Sequence, residues 1–333
     1  MPRLRSPSLY TVPVWTGEKL PNREEVAAAL SAPFPSTLSP HALFAHNHTR
    51  AWLKRFTVHD EPVWVQKAIA AKMAWFVAGF YPDAAAAELC IASDYIVWAF
   101  GLDDLGDETA VGQRPERLIE LFDRFDDVFL GRPVSPHPAT QALADIVDRV
   151  ADIARPAELK AFHEGNRAYF GAMLWEANNR HGNLVPDEQT YRMLRPAAGA
   201  APPFFALIEP LQHITLSERV RTAAPVARMT RLAGEIMCWT NDVLSYEKER
   251  KNGDVHNLAY IYEHHRGLAP ARALAEAVGF NNASVADFLE QEHLVPTFGT
   301  DEDRELARYV AVLRSMIKVT LDWTLNSSRY AGE

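Results

Sequence analysis

Apolar residues recur at three- and four-residue spacing along most of the chain, the period of helices that bury one face. Such segments cover residues 40–56, 62–81, 83–103, 114–130, 138–153, 156–182, 187–212, 217–251, 255–265, 268–280, 283–293 and 300–325. Breakers separate many of them: Pro82-Asp83, Gly131 to Pro138, Pro156, Gly182 to Pro186, Gly253, and Pro296 to Gly299. No alternating apolar–polar run is bounded by hairpin turns, and no fixed-period repeat occurs. An all-α fold is therefore expected. Residues 1–37 are rich in Pro, Ser and Arg and lack this periodicity, so they are expected to form a surface arm. No linker-like change of composition follows, and residues 38–333 are expected to form one helical domain.

Composition narrows the function. With 48% hydrophobic residues in 333, a sizeable core can form. The formal net charge is −9 and no basic block occurs, which leaves nucleic acid no electrostatic footprint. Cys90 and Cys238 lie far apart in apolar stretches and read as buried free thiols, not as a disulfide or a zinc site. The first twenty residues carry no apolar signal-type run, and the apolar stretch 84–100 is interrupted by Glu88 and Asp94. No membrane insertion is expected, and a cytoplasmic location is.

Two polar clusters stand out against this background. Asp103-Asp104-Leu105-Gly106-Asp107-Glu108 follows the apolar run Ile96 to Leu102. On a helix, Asp103 and Asp107 share a face and repel each other, and a divalent cation would relieve that repulsion. Asn241, Ser245 and Glu249 recur four apart, so an amide oxygen, a hydroxyl and a carboxylate share one helix face. These are hard oxygen donors of the kind Mg²⁺ takes, and Lys248 beside them could reach a phosphate oxygen. Asp123, Asp126 and Asp127, and likewise Asp145, Asp148 and Asp152, read as solvated faces. So do Glu247, Arg250 and Lys251. Two oxygen-donor clusters without a basic cradle would let an acidic protein hold a diphosphate through metal ions.

The strings DDLGDE (103–108) and NDVLSYEKE (241–249) resemble the aspartate-rich and Asn-Ser-Glu motifs of the bacterial-type class I terpene synthases. The likeness extends over residues 38–330. It includes Ser39-Pro40-His41-Ala42 with Trp52-Leu53, Tyr81-Pro82-Asp83-Ala84, Gly253-Asp254-Val255-His256-Asn257-Leu258, Trp323, and the terminal Arg329-Tyr330. The resemblance implies the class I terpenoid synthase fold, a single helical bundle around an apolar cavity with metal clusters at its mouth. It implies three Mg²⁺ ions. Asp103 would bridge magnesium ions, with Asp104, Asp107 and Glu108 as secondary ligands or hydrogen-bond partners, and Asn241, Ser245 and Glu249 would hold another of the three. Arg329 and Tyr330 would bind the diphosphate. Arg195, 46 positions before Asn241, falls where the family places its diphosphate-sensing arginine; Gly199 falls on the effector position, and Ala198 on a linker position where many relatives carry Asp.

The implied reaction is ionisation and cyclisation of an acyclic isoprenyl diphosphate, with farnesyl diphosphate expected and geranylgeranyl diphosphate as the alternative. A carbocation needs a dry cavity with aromatic faces. Phe100 and Trp323 are the candidates for this role, with Phe76 and Phe80 as further cavity residues or ordinary core. Pro196 and Gly199 are expected to break their helix and free backbone carbonyls. None of the twelve histidines is assigned to chemistry. A homodimer is consistent with the resemblance. A chain-elongating prenyltransferase should carry a second Asp-rich motif, and a protonation-initiated cyclase a DxDD string; neither is present. An inactive isoprenoid-binding protein would be expected to have lost ligands that are intact here.

Overall fold

The computed structural model describes residues 12–15, 19–56, 62–108 and 114–329, and the side chains at 62 and 106–108 lie outside the description. All regular elements among these residues are helices, as the periodicity predicts. They run α1 (Arg23–Ala29), α2 (Ala42–Arg55), α3 (Pro62–Ala70), α4 (Met73–Phe80), α5 (Ala86–Glu108), α6 (Pro115–Phe129), α7 (Pro138–Ile153) and α8 (Pro156–Gly182). There follow α9 (Glu188–Ala198), α10 (Ala201–Ala206), α11 (Ile208–Gln212), α12 (Glu218–Arg221), α13 (Ala224–Asn252), α14 (Leu258–Arg266), α15 (Pro270–Leu294) and α16 (Thr300–Asn326).

Local chemistry sets most of the boundaries. Proline occupies the first turn of α6, α7, α8, α13 and α15, where its missing N–H costs nothing. Asn22, Asp187, Ser217 and Asn257 accept backbone N–H groups as N-caps. Gly253, at φ +77°, ends α13 in the left-handed region, and the Asp254 N–H donates back to the Glu249 carbonyl at 3.0 Å. That turn folds residues 254–257 back against the polar face of α13.

Three expected helices are subdivided. Segment 62–81 breaks at Lys72, which is left-handed with φ 53°. Segment 187–212 becomes α9, α10 and α11, and segment 217–251 becomes α12 and α13. Conversely, segments 268–280 and 283–293 form one helix, α15. Asn281 and Asn282 fall between the two segments and both are buried inside the continuous helix: Asn281 donates to Thr240 Oγ1 (3.3 Å), and Asn282 donates to the Ala29 carbonyl (2.9 Å) and accepts from Ser31 N–H (2.8 Å).

The surface arm expected over residues 1–37 needs correction where it is described. From Asn22 onward it is a packed strap. Val26 and Leu30 bury themselves against α13, α14 and α15, and Phe34 meets Phe288 edge-on at 5.5 Å. Arg23 donates to the Thr324 carbonyl of α16.

Helix α13 packs on α15 and α16, α8 on α10, α5 on α2 and α4, and α4 on α16. Trp98, Tyr95, Phe125, Phe162 and Phe288 are fully buried in the larger core, and Trp239, Tyr191, Tyr246 and Tyr262 in a second one around α13–α15. Both cysteines are free and buried. Among the described residues no helix is long and apolar enough to cross a membrane.

Candidate active site

The ends of α5 and α13 face one cavity of about 660 Å³. Its polar mouth includes Asp103, Asp104, Asn241, Ser245, Lys248, Glu249, Arg195 and Arg329. Its apolar interior includes Phe76, Phe80, Phe100 and Trp323, joined by Ile96, Tyr169, Phe204 and Met237. Every described residue assigned from sequence therefore meets in one chamber, Gly199 included. The side chains of Asp107 and Glu108, and all of Tyr330, lie outside the described residues.

The two aspartates of the first motif differ. Asp103 is partly exposed in the cavity. Asp104 is buried and fully engaged: Trp64 Nε1 donates to Oδ2 (2.6 Å), while Arg329 Nη1 and Nη2 donate to Oδ2 (3.0 Å) and Oδ1 (2.6 Å). Arg329 also lies over the Phe100 ring at 4.4 Å. The segment that follows α16 is thereby latched to the first motif at Arg329 by a bidentate, charge-assisted pair.

On α13, Asn241 Oδ1 accepts from Arg195 Nη2 at 2.9 Å. Ser245 Oγ donates to the Asn241 carbonyl (2.7 Å), which leaves its lone pairs as acceptors. Glu249 Oε2 accepts from Asn257 Nδ2 at 2.8 Å. Burial, with the nearby charges of Asp254 and Asp242, pushes the Glu249 carboxyl upward. Asp254 shifts downward, because its contacts with His256 outweigh its own burial.

The donor set fits a divalent cation. It is all hard oxygen, and it includes a buried carboxylate among other carboxylates, where a cation would reverse the local penalty. Among the described residues no group of three His, Cys, Asp or Glu side chains has metal-site spacing. The second set is instead mixed, of amide, hydroxyl and carboxylate.

Sequence reasoning passed over the residues that hold these candidate ligands in place. Asp242 is fully buried and accepts from Arg195 Nε (2.9 Å), Tyr191 Oη (2.7 Å) and Leu258 N–H (3.0 Å). Asn257 donates to both the Asp242 carbonyl (2.7 Å) and Glu249. His256, given no role from sequence, lines the cavity and contacts Asp254 (3.2 Å) and Asn179 (3.2 Å). The signal available was adjacency: Asp242 lies inside one motif, and residues 254–257 follow it across a glycine turn.

Of the two expected breakers, Pro196 is carried inside α9, which continues to Ala198, while the break does fall at Gly199-Ala200, where Ala200 takes φ 55°. Gly199 itself has φ −79°, so conformation is not what requires glycine there. Space is: a Cβ at this position would lie 2.6 Å from Cys238 Sγ.

The apolar wall turns its polar tips away from the chamber. Trp323 Nε1 donates to the Ala71 carbonyl (3.0 Å), which the α3–α4 break makes available, and Tyr169 Oη donates to the Ala99 carbonyl (3.1 Å). Burial raises the Cys238 thiol to about 12, so it stays neutral. Phe76 stacks on Trp323 with centroids 4.4 Å apart and planes 7° apart, and Phe80 meets Phe76 edge-on at 4.5 Å.

The remaining acidic groups divide. Asp148 and Asp152 are exposed as expected, and Asp126 and Asp127 are partly exposed in surface pairs with His163 and Arg132. Asp145 is not simply solvated, because it accepts Trp52 Nε1 (2.8 Å) and pairs with Arg149 (2.7 Å), fastening α2 to α7. Glu247 and Lys251 form an exposed pair, whereas Arg250 is tied to Glu263.

Such a chamber, with oxygen donors at its mouth and aromatic rings within, defines a class I terpene synthase site. Residues 94–287 match the family described as terpene synthase family 2, C-terminal metal binding. The chain belongs to this family. It is 34% identical over 310 residues to (+)-T-muurolol synthase ((2E,6E)-farnesyl diphosphate cyclizing) of Roseiflexus castenholzii, covering 92% of this chain and 95% of that one. It is 31% identical to the 10-epi-cubebol synthase of Sorangium cellulosum, covering 91% and 97%. The fold is also that of germacradien-4-ol synthase from Streptomyces citricolor, with a TM-score of 0.79 at 23% identity over 90% of this chain and 98% of that one.

Proposed function

We propose that the protein ionises farnesyl diphosphate with the help of three Mg²⁺ ions and cyclises the resulting allylic cation to a sesquiterpene. The reading rests chiefly on one observation: both oxygen-donor faces and the aromatic wall belong to a single chamber. Bound magnesium would neutralise charge developing on the leaving diphosphate. Asp103 on one side and Asn241, Ser245 and Glu249 on the other would hold it. Asp107 and Glu108 extend the first donor set on the resemblance of the motif. Arg195, Lys248 and Arg329, with Tyr330 beside it, would bind the diphosphate oxygens.

Phe76, Phe80, Phe100 and Trp323 would fold the hydrocarbon and offer π faces to the cation. With the Trp323 and Tyr169 polar atoms turned outward, the interior presents few nucleophiles to it. A cavity of about 660 Å³ lies in the range of small-molecule sites, about 300–1,000 Å³. The farnesyl assignment draws on the relative named as cyclising farnesyl diphosphate. The unit carrying the activity is read as residues 38–333, in a cytoplasmic protein.

Incubation of the purified protein with farnesyl diphosphate, with and without Mg²⁺, tests the reading. Magnesium-dependent diphosphate release and a cyclic C15 product by gas chromatography–mass spectrometry are expected. Turnover only with geranylgeranyl diphosphate would replace the substrate, a requirement for added isopentenyl diphosphate would replace the reaction, and no turnover would remove it.

A further inference from the structure

Arg195 needs an anchor, and its own helix does not supply one. Helix α9 ends three residues later, and position 198 is an alanine without a carboxylate. The anchor comes from α13. We infer that Asp242 is the positioning residue for Arg195, holding its guanidinium at the cavity wall in readiness for the diphosphate; the inference rests on the reading of the chamber as a diphosphate-ionising site.

Asp242 directly follows the candidate ligand Asn241 but points elsewhere, as adjacent helical residues must. Both of its oxygens are committed to protein: Oδ1 to Arg195 Nε, and Oδ2 to Tyr191 Oη and Leu258 N–H. It is thus a poor metal ligand and a rigid anchor. A carboxylate with no exposed surface is costly unless a cation faces it, and Arg195 is the cation that does. The second contact of Arg195, from Nη2 to Asn241 Oδ1, engages the oxygen that a divalent cation would claim. The Nε contact shares that edge of the guanidinium but ends on a different residue, so it does not depend on how Asn241 is used. Arg195 Nη1 lies near Gly199, where a built Cβ would stand 3.3 Å from it. Asp242 therefore fixes the guanidinium between the metal-ligand helix and the helix break that lines the cavity.

A double-mutant cycle tests this. The readout is the affinity for inorganic diphosphate in the presence of Mg²⁺, followed by calorimetry. Arg195→Gln is expected to weaken binding about tenfold or more, and Asp242→Asn by a similar factor. The double variant should be no more than about threefold weaker than Arg195→Gln alone, because the two residues act as one unit. Tyr191→Phe removes a hydrogen bond from the same carboxylate but leaves the Nε contact, so its affinity should stay within about threefold of the unaltered protein.

Additive losses, or a Tyr191→Phe loss as large as that of Asp242→Asn, would overturn the inference. Should Asp242→Asn fail to fold, the ligand-free melting temperature of Arg195→Gln decides. Stripping the buried carboxylate of its cation should lower it by about 5 °C or more, and an unchanged value would overturn the pairing. If the unaltered protein shows no magnesium-dependent diphosphate binding, the cyclase reading falls and this inference with it. Binding with additive losses removes the inference alone.

Discussion

Arg329, four residues from the end of the chain, closes on Asp104 of the first motif with two parallel N–H···O bonds of 3.0 and 2.6 Å. The pair is nearly buried, and Trp64 holds the same carboxylate from behind. Arg329 is thus held at the cavity mouth by a specific contact. On the proposed reading Arg329 also binds the diphosphate, so Arg329→Gln should lower kcat/KM about 100-fold, the loss of one strong transition-state contact of about 3 kcal/mol. Steady-state diphosphate release checks this, and a change under about threefold would remove Arg329 from the site.

Asn241→Ala and Glu249→Ala should each abolish turnover, by about a thousandfold or more, while far-UV circular dichroism shows unchanged helix content. Both side chains sit at the cavity face of α13. Chelation of Mg²⁺ in the unaltered protein should reproduce the same loss. Full activity in either variant would mean that the second motif does not hold the metal.

Phe100 contacts Trp323 (6.0 Å between centroids), while Trp323 stacks flat on Phe76. Removing Phe100 opens one side of this group without unseating the Trp323–Phe76 pair. Phe100→Ala should therefore change the ratio of terpene products more than it changes the melting temperature. An unaltered product profile by gas chromatography–mass spectrometry would take Phe100 out of the cavity's working surface.

The grouping of the motif residues was legible in sequence because helical periodicity alone puts residues four apart on one face. Asn241, Ser245 and Glu249 needed no tertiary information to be grouped. Gly253 was legible as a stop because left-handed backbone favours glycine. Asp242, Tyr191 and Asn257 were not, because their partners come from three helices that only folding brings together. The same limit hid Asp94, which looked like an interruption of an apolar run. It is in fact a buried hub accepting from Thr49 Oγ1 (2.6 Å) and pairing with His48 (2.9 Å) and Arg149 (2.9 Å). The strap at residues 22–34 was missed because it is too short to show a period, and its burial is set by α13 and α15.

The Asp94 hub gives the fold a pH dependence. Hydrogen bonding to Asp94, then to Cys90, raises the pKa of His48 to about 10 from its usual 6.5. The folded state therefore binds the His48 proton more tightly than the unfolded chain does. The stabilisation is fully present below about pH 6.5 and is lost as pH rises through about 10. The stability difference between the unaltered protein and His48→Gln, from urea unfolding at pH 6, 8 and 10, should shrink at each step. Because the imidazole is 39% exposed, screening makes the effect smaller than the pKa alone suggests. A difference that stays constant with pH would remove His48 as its source.

Gly199 and Cys238 fit against each other at the cavity wall, and the fit makes a prediction that separates packing from backbone freedom. The φ of Gly199 is one that any residue can adopt, so alanine brings no backbone strain. Its methyl would instead stand 2.6 Å from Cys238 Sγ, 3.3 Å from Arg195 Nη1 and 3.5 Å from the Arg195 carbonyl. The first distance requires movement, the second only a small shift of a side-chain tip, and the third none. Gly199→Ala should accordingly cost about 1–3 kcal/mol in urea unfolding, the usual price of overpacking a close contact. Cys238→Ala removes the sulfur and leaves a small void, a loss of about 1 kcal/mol. Combined, the new methyl occupies the space that the sulfur vacated, and the double variant should be more stable than Gly199→Ala alone. A double variant whose losses simply add would mean that some neighbour other than Cys238 excludes a side chain at position 199.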